Sequence, residues 1–76
     1  MARPATTGPD LFTVTALAEA ERAAVAAEAA RAEAQRKYRV APHGELKARL
    51  STLQEAAQEA LRADIAWQRA KAEVGL

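Results

Sequence analysis

Residues 10–39 and 45–74 form two thirty-residue stretches without glycine or proline, and the five residues between them, Val40-Ala41-Pro42-His43-Gly44, hold both. This arrangement constrains the chain more than any other feature. Each stretch is dominated by Ala, Glu and Arg, which lose little on entering a helix, whereas Pro42 disfavours helix at Ala41 and Gly44 relaxes the backbone. The pattern predicts a helix over about 10–39, a turn over 40–44 and a helix over about 45–74, with 1–9 a flexible N-terminal tail. Pro9 and Asp10 signal the first start, because a carboxylate there accepts from unpaired backbone NH groups and favours the positive end of the helix dipole. Gly75 suits the left-handed residue that closes the second helix. Ser51-Thr52-Leu53-Gln54-Glu55 holds two overlapping capping boxes, which offers an alternative in which the second helix breaks and restarts near Ser51.

The apolar positions decide how two such helices meet. Phe12, Ala16, Ala20, Ala23, Ala27, Ala30, Ala34 and Tyr38 share one stripe at 100° per residue. Leu46, Leu50, Leu53, Ala57, Ala60, Ala63, Trp67, Ala70 and Val74 recur at the coiled-coil period. Folding back at Pro42 sets Tyr38 near Leu46, Ala34 near Leu50, Ala27 near Ala57 and Ala16 near Trp67, so small side chains face large ones. The expected fold is all-α: an antiparallel, coiled-coil-like two-helix hairpin.

A hairpin of this kind leaves apolar surface over. Leu11, Val14, Ala18, Val25, Ala29 and Ala32 form a second strip on the first helix, and Leu50, Leu61, Ile65 and Ala72 form one on the second. Of 38 hydrophobic residues 22 are alanine and three are aromatic, which leaves little bulk for a core in a 76-residue chain. Small helical chains gain their stability from tertiary packing and often need oligomerisation. The hairpin is therefore expected to be completed by copies of itself or by a partner protein, with Leu11, Val14, Val25, Leu61 and Ile65 as the contact residues.

Charge suggests a second reading. The net charge is +1, but residues 31–49 hold six basic and two acidic groups. Folding gathers Arg31, Arg36, Lys37, Arg39, Lys47 and Arg49 at the turn, near Tyr38 and His43. Arg36, Lys37, Arg39, Lys47 and Arg49 are accordingly candidates for an anion, in a nucleic-acid-binding alternative. Two facts weigh against it: cations belong at the C-terminal end of a helix, and a pI of 8.2 is mild for a nucleic-acid binder.

The remaining chemistry is sparse. With no cysteine and one histidine, there is no thiolate zinc site, disulfide framework or histidine cage. No phosphate loop or nucleophile elbow occurs, so neither catalysis nor a cofactor is expected. His43 reads as a solvated turn residue, Asp64 as a partner for an arginine at the hairpin edge, and Trp67 as core. Glu28 with Arg31, Glu33 with Arg36 or Lys37, and Glu59 with Arg62 have helical pair spacing. No apolar run approaches the roughly 20 residues of a membrane span, and residues 1–10 lack the apolar centre of a signal peptide. The chain is expected to be cytoplasmic and to act as a structural or adaptor subunit of an assembly, such as a virus-like particle, a secretion apparatus or a multi-subunit enzyme.

Overall fold

The computed structural model describes residues 11–75, the side chains of Leu11 and Phe12 excepted. The expected tail over 1–9 and the Asp10 cap lie outside the described residues. Helix α1 is Leu11–Arg39 and helix α2 is Leu46–Val74, separated by a 3-10 turn at His43–Glu45. Each helix has 29 residues, a rod of about 43 Å. The two pack against each other along their length, and no strand occurs among the described residues.

The break between the helices follows from the local sequence. Pro42 sits at φ −61°, ψ 154°, and Ala41 N–H turns back to the Tyr38 carbonyl at 3.2 Å. The chain then re-enters helix through Glu45 N–H, which donates to the Pro42 carbonyl at 2.8 Å. Gly44 adopts no left-handed conformation and a Cβ there would meet nothing, so Pro42 makes the corner. At the far end Gly75 does take the left-handed conformation, φ 80°, and its N–H reaches the Ala72 carbonyl at 3.2 Å. The restart near Ser51 does not occur. The Thr52 hydroxyl instead donates to the Ala48 carbonyl one turn back, at 3.2 Å, a bond that a continuous helix accommodates.

The buried seam differs from the expected stripe. On α1 the half-buried or buried positions include a line through Thr13, Leu17, Ala20, Ala24, Ala27, Arg31, Ala34 and Tyr38, in alternating steps of four and three, with Ala18, Ala32 and Gln35 half-buried beside it. On α2 the corresponding line is Leu46, Arg49, Leu53, Ala56, Ala60, Ala63, Trp67, Ala70 and Val74, with Lys71 half-buried beside it. Both follow the 3.5-residue repeat of a coiled coil. Ala16, Ala23 and Ala30, expected inside, are exposed, as are Leu50 and Ala57. Alanine is so frequent on α1 that several stripes look equally apolar, and Leu17, which removes more apolar surface from water than any alanine, fixes the rotation. Arg31 and Arg49 enter the seam by their apolar stems while their head groups reach outward.

Trp67 also departs from expectation. It is half-buried and lines an open groove with Ala24, Val25 and Glu28 of α1, further along α1 than the expected Ala16. Helical side chains lean toward their own N-terminus, so in an antiparallel pair the indole of α2 reaches toward later residues of α1. Lys71, one turn on, leans the same way and places its ammonium 3.9 Å from the ring centroid, a cation–π contact.

What results is a thin core. Among the described residues only Ala24 and Ala34 are buried hydrophobics, at 8% and 7% exposure, and no side chain is fully enclosed. Two substitutions test this seam. Ala24→Leu should overpack it and cost about 1–3 kcal/mol, whereas Ala23→Leu, one residue round the helix and exposed, should stay within about 0.5 kcal/mol; urea melts of the two variants make the comparison. Trp67→Ala should cost about 1–3 kcal/mol, below the roughly 3–5 kcal/mol of a fully enclosed aromatic ring.

Candidate functional site

The seam leaves one broad side of the hairpin carrying most of the bulky apolar residues. Val14, Val25, Leu50, Leu61 and Ile65 are all exposed, Val25 and Leu61 by 61% each. Val14 and Val25 lie eleven residues apart, about three helical turns, and so point the same way. Val25 and Glu28 of α1 line one groove with Asp64 of α2, over a floor of Ala24 and Ala60. Leu61, three residues before Asp64 and so on nearly the same side of α2, stands beside that groove, whereas Ile65, two residues before the seam residue Trp67, points away from α1. Its volume is about 350 Å³, and it is open to solvent along its length. Of the five expected contact residues, Val14, Val25 and Leu61 stand on this side, and Ile65 is exposed at the outer edge of α2. The side chain of Leu11 lies outside the described residues.

Polar groups run between the two strips. Glu28 and Asp64 line the groove, and Glu21 lies one heptad before Glu28 on the same face. Asp64, expected to meet an arginine, makes none of the ion pairs among the described residues. Glu28 is held by Arg31, whose guanidinium bonds it at 2.6 Å and bonds Gln35 at 2.9 Å. The hydrogen bond between Arg31 and Glu28 lowers the Glu28 carboxyl below its ordinary pKa and raises Arg31 in turn.

The turn end gathers the five candidate anion-binding residues, but their charges are partly spoken for. Arg36 and Lys37 both meet Glu33, and Arg49 meets Glu45 at 3.2 Å. Arg36 thereby lowers the Glu33 carboxyl. Among the described residues Arg39 and Lys47 have no such ion pair. Tyr38 is half-buried in the seam rather than displayed for stacking, and His43 is exposed on the turn. The sequence reading missed Val40, which is 80% exposed and shares a shallow groove with Arg36, Lys37 and Arg39. Its signal was available, since it follows the helix end and precedes the proline corner.

No group of acidic, histidine or cysteine side chains among the described residues is arranged to hold a metal ion, and no helix among them is long and apolar enough to cross a membrane. No protein-family model, curated protein or solved structure matches the chain.

The ion pairs have a pH signature. Glu28 and Glu33 are lowered by their arginine partners, so the stabilisation they give is present above the ordinary carboxylate pKa and is lost as pH falls through the depressed values. Helicity recorded by circular dichroism should therefore fall on acidification below about pH 4. Glu28→Gln with Glu33→Gln should flatten that response.

Proposed function

We propose that this chain is a non-enzymatic structural or adaptor subunit, a helical hairpin that docks by its second apolar face on copies of itself or on a larger protein assembly. One observation carries the reading. The bulky apolar side chains Val14, Val25, Leu50, Leu61 and Ile65 are exposed, while among the described residues the buried core consists of Ala24 and Ala34. The hydrophobic contribution to folding scales with apolar area removed from water, at about 25 cal/mol per Å², and two helices joined through alanine remove little. A chain of this size is stabilised when a further surface covers what remains.

The nucleic-acid alternative has less support. Three of the five candidate cations are matched by Glu33 and Glu45, and Tyr38 is half-buried. Phosphate contact would displace those carboxylates.

Light scattering after size exclusion, with helicity followed across the same concentrations, tests the docking reading. The expected result is either a helical oligomer or a chain that is weakly helical alone. A monomer that stays monomeric at high concentration and melts cooperatively would overturn it. Salt-sensitive binding to a mixed-sequence duplex, reduced when Arg36, Lys37 and Arg39 become alanine, would favour the alternative instead.

A further inference from the structure

We infer that the occupant of the docking face is a second copy of this chain, laid end over end so that the turn of each hairpin reaches the level of Glu21 and Asp64 in the other. The inference rests on the docking reading above and adds the partner and its register. Its warrant is the placement of the charges that the hairpin leaves without ion pairs on that face. Glu21 and Asp64 stand toward the open end, while Arg39 stands at the turn with Lys47 at the outer edge; none takes part in the ion pairs among the described residues, and Lys71, further toward the open end, is held over the Trp67 ring.

Heights along the hairpin follow from the turn, where Arg39 ends α1 and Leu46 begins α2. Counting nine residues from each places Ala30 level with Glu55. Glu21 and Arg39 are centred on Ala30. Asp64 with Lys47, and Leu61 with Leu50, are each centred between Glu55 and Ala56. A single two-fold axis across the hairpin at this height therefore brings Glu21 to the level of Arg39 in the partner copy, Asp64 to that of Lys47 and Leu61 to that of Leu50.

Directions agree with heights. Glu21 and Arg39 are eighteen residues apart, five full turns, and Leu50 and Leu61 are eleven apart, close to three. Each pair thus points out of the same side of its helix. Lys47 lies about a quarter turn further round than Asp64, a gap that its flexible stem spans.

The charge pattern also rejects the other symmetric stacking, turn over turn. That arrangement lays α1 on α2, so Arg39 would face Lys47 in the other copy and Glu21 would face Asp64. Like charges placed together across an interface are costly. An isologous contact needs one self-complementary patch, and opposite charges mirrored about Ala30 provide it. Overlap runs from the level of Glu21 to that of Arg39, about 27 Å along two helices about 20 Å wide. Each copy contributes roughly 550 Å², and the total of roughly 1,100 Å² clears the ~1,000 Å² of a specific interface.

The test uses the full chain. Glu21→Arg and Arg39→Glu should each raise the dimer dissociation constant about tenfold in sedimentation equilibrium, and the double reversal should restore it. Arg39→Glu also opposes the dipole at the end of α1, so a second measurement reads the register alone. The chain has no cysteine, and Leu50→Cys and Leu61→Cys fall at exposed positions. When the two single variants are mixed and oxidised, a disulfide joining position 50 of one copy to position 61 of the other should form in preference to either like pair. A dimer in which like pairs dominate and the double reversal fails to restore affinity would overturn the end-over-end register while leaving docking intact. A weakly helical monomer would overturn the second copy but not docking on a different protein, and a stably folded monomer would overturn both.

Discussion

The close approach of an alanine-lined helix to one bearing leucine and tryptophan is the contact on which the rest of this hairpin depends. Ala20, Ala24, Ala27 and Ala34 bring little bulk of their own, and they let α2 lie close enough for Leu53 and Trp67 to find apolar surface opposite. That closeness has a cost in area, since short side chains remove little from water. The hairpin is consequently well specified in geometry and thinly provided with core. Among the described residues its surface ion pairs all join residues three or four apart on one helix or at its start; they add little to this and chiefly support local helix propensity.

A thin seam has consequences for everything outside it. Once Leu17, Ala24 and Ala34 turn inward, the rotation of α1 is set, and Val14 and Val25 must face the side on which α2 presents Leu50 and Leu61. The same rotation puts Glu28 and Asp64 in the groove between the strips, so that the apolar side is crossed by a line of carboxylates. A covering surface must meet both kinds of group. At the turn, the proline corner gathers cations from the end of α1 and the start of α2, and Glu33 and Glu45 draw most of them into local pairs.

Much of the fold is legible in the residues. The two glycine- and proline-free stretches announce two helices, and the short interruption implies that they pack side by side. The rotation of α1 about its own axis is less legible, because a helix in which alanine recurs at so many positions has several apolar stripes of similar width. Ala16, Ala23 and Ala30 make as good a stripe on paper as the one built on Leu17 and Ala24, yet they face solvent. Ser51 and Thr52 are ambiguous for a related reason: hydroxyl residues cap a helix or bond back within it, and only the surrounding turns decide which. The exposed strip of Val14, Val25, Leu61 and Ile65 is readable from spacing alone, because bulky residues on an otherwise polar surface stand out where alanines do not.

The sequence by itself determined the number of helices, their approximate limits and the corner at Pro42, since these depend on backbone propensity and on steric exclusion within a few residues. Only the tertiary structure decided which face of α1 is buried, and that Trp67, Ala24 and Val25 line one groove with Glu28 and Asp64. Those outcomes depend on what stands opposite, and local propensity contains no information about a neighbour that is distant in the chain.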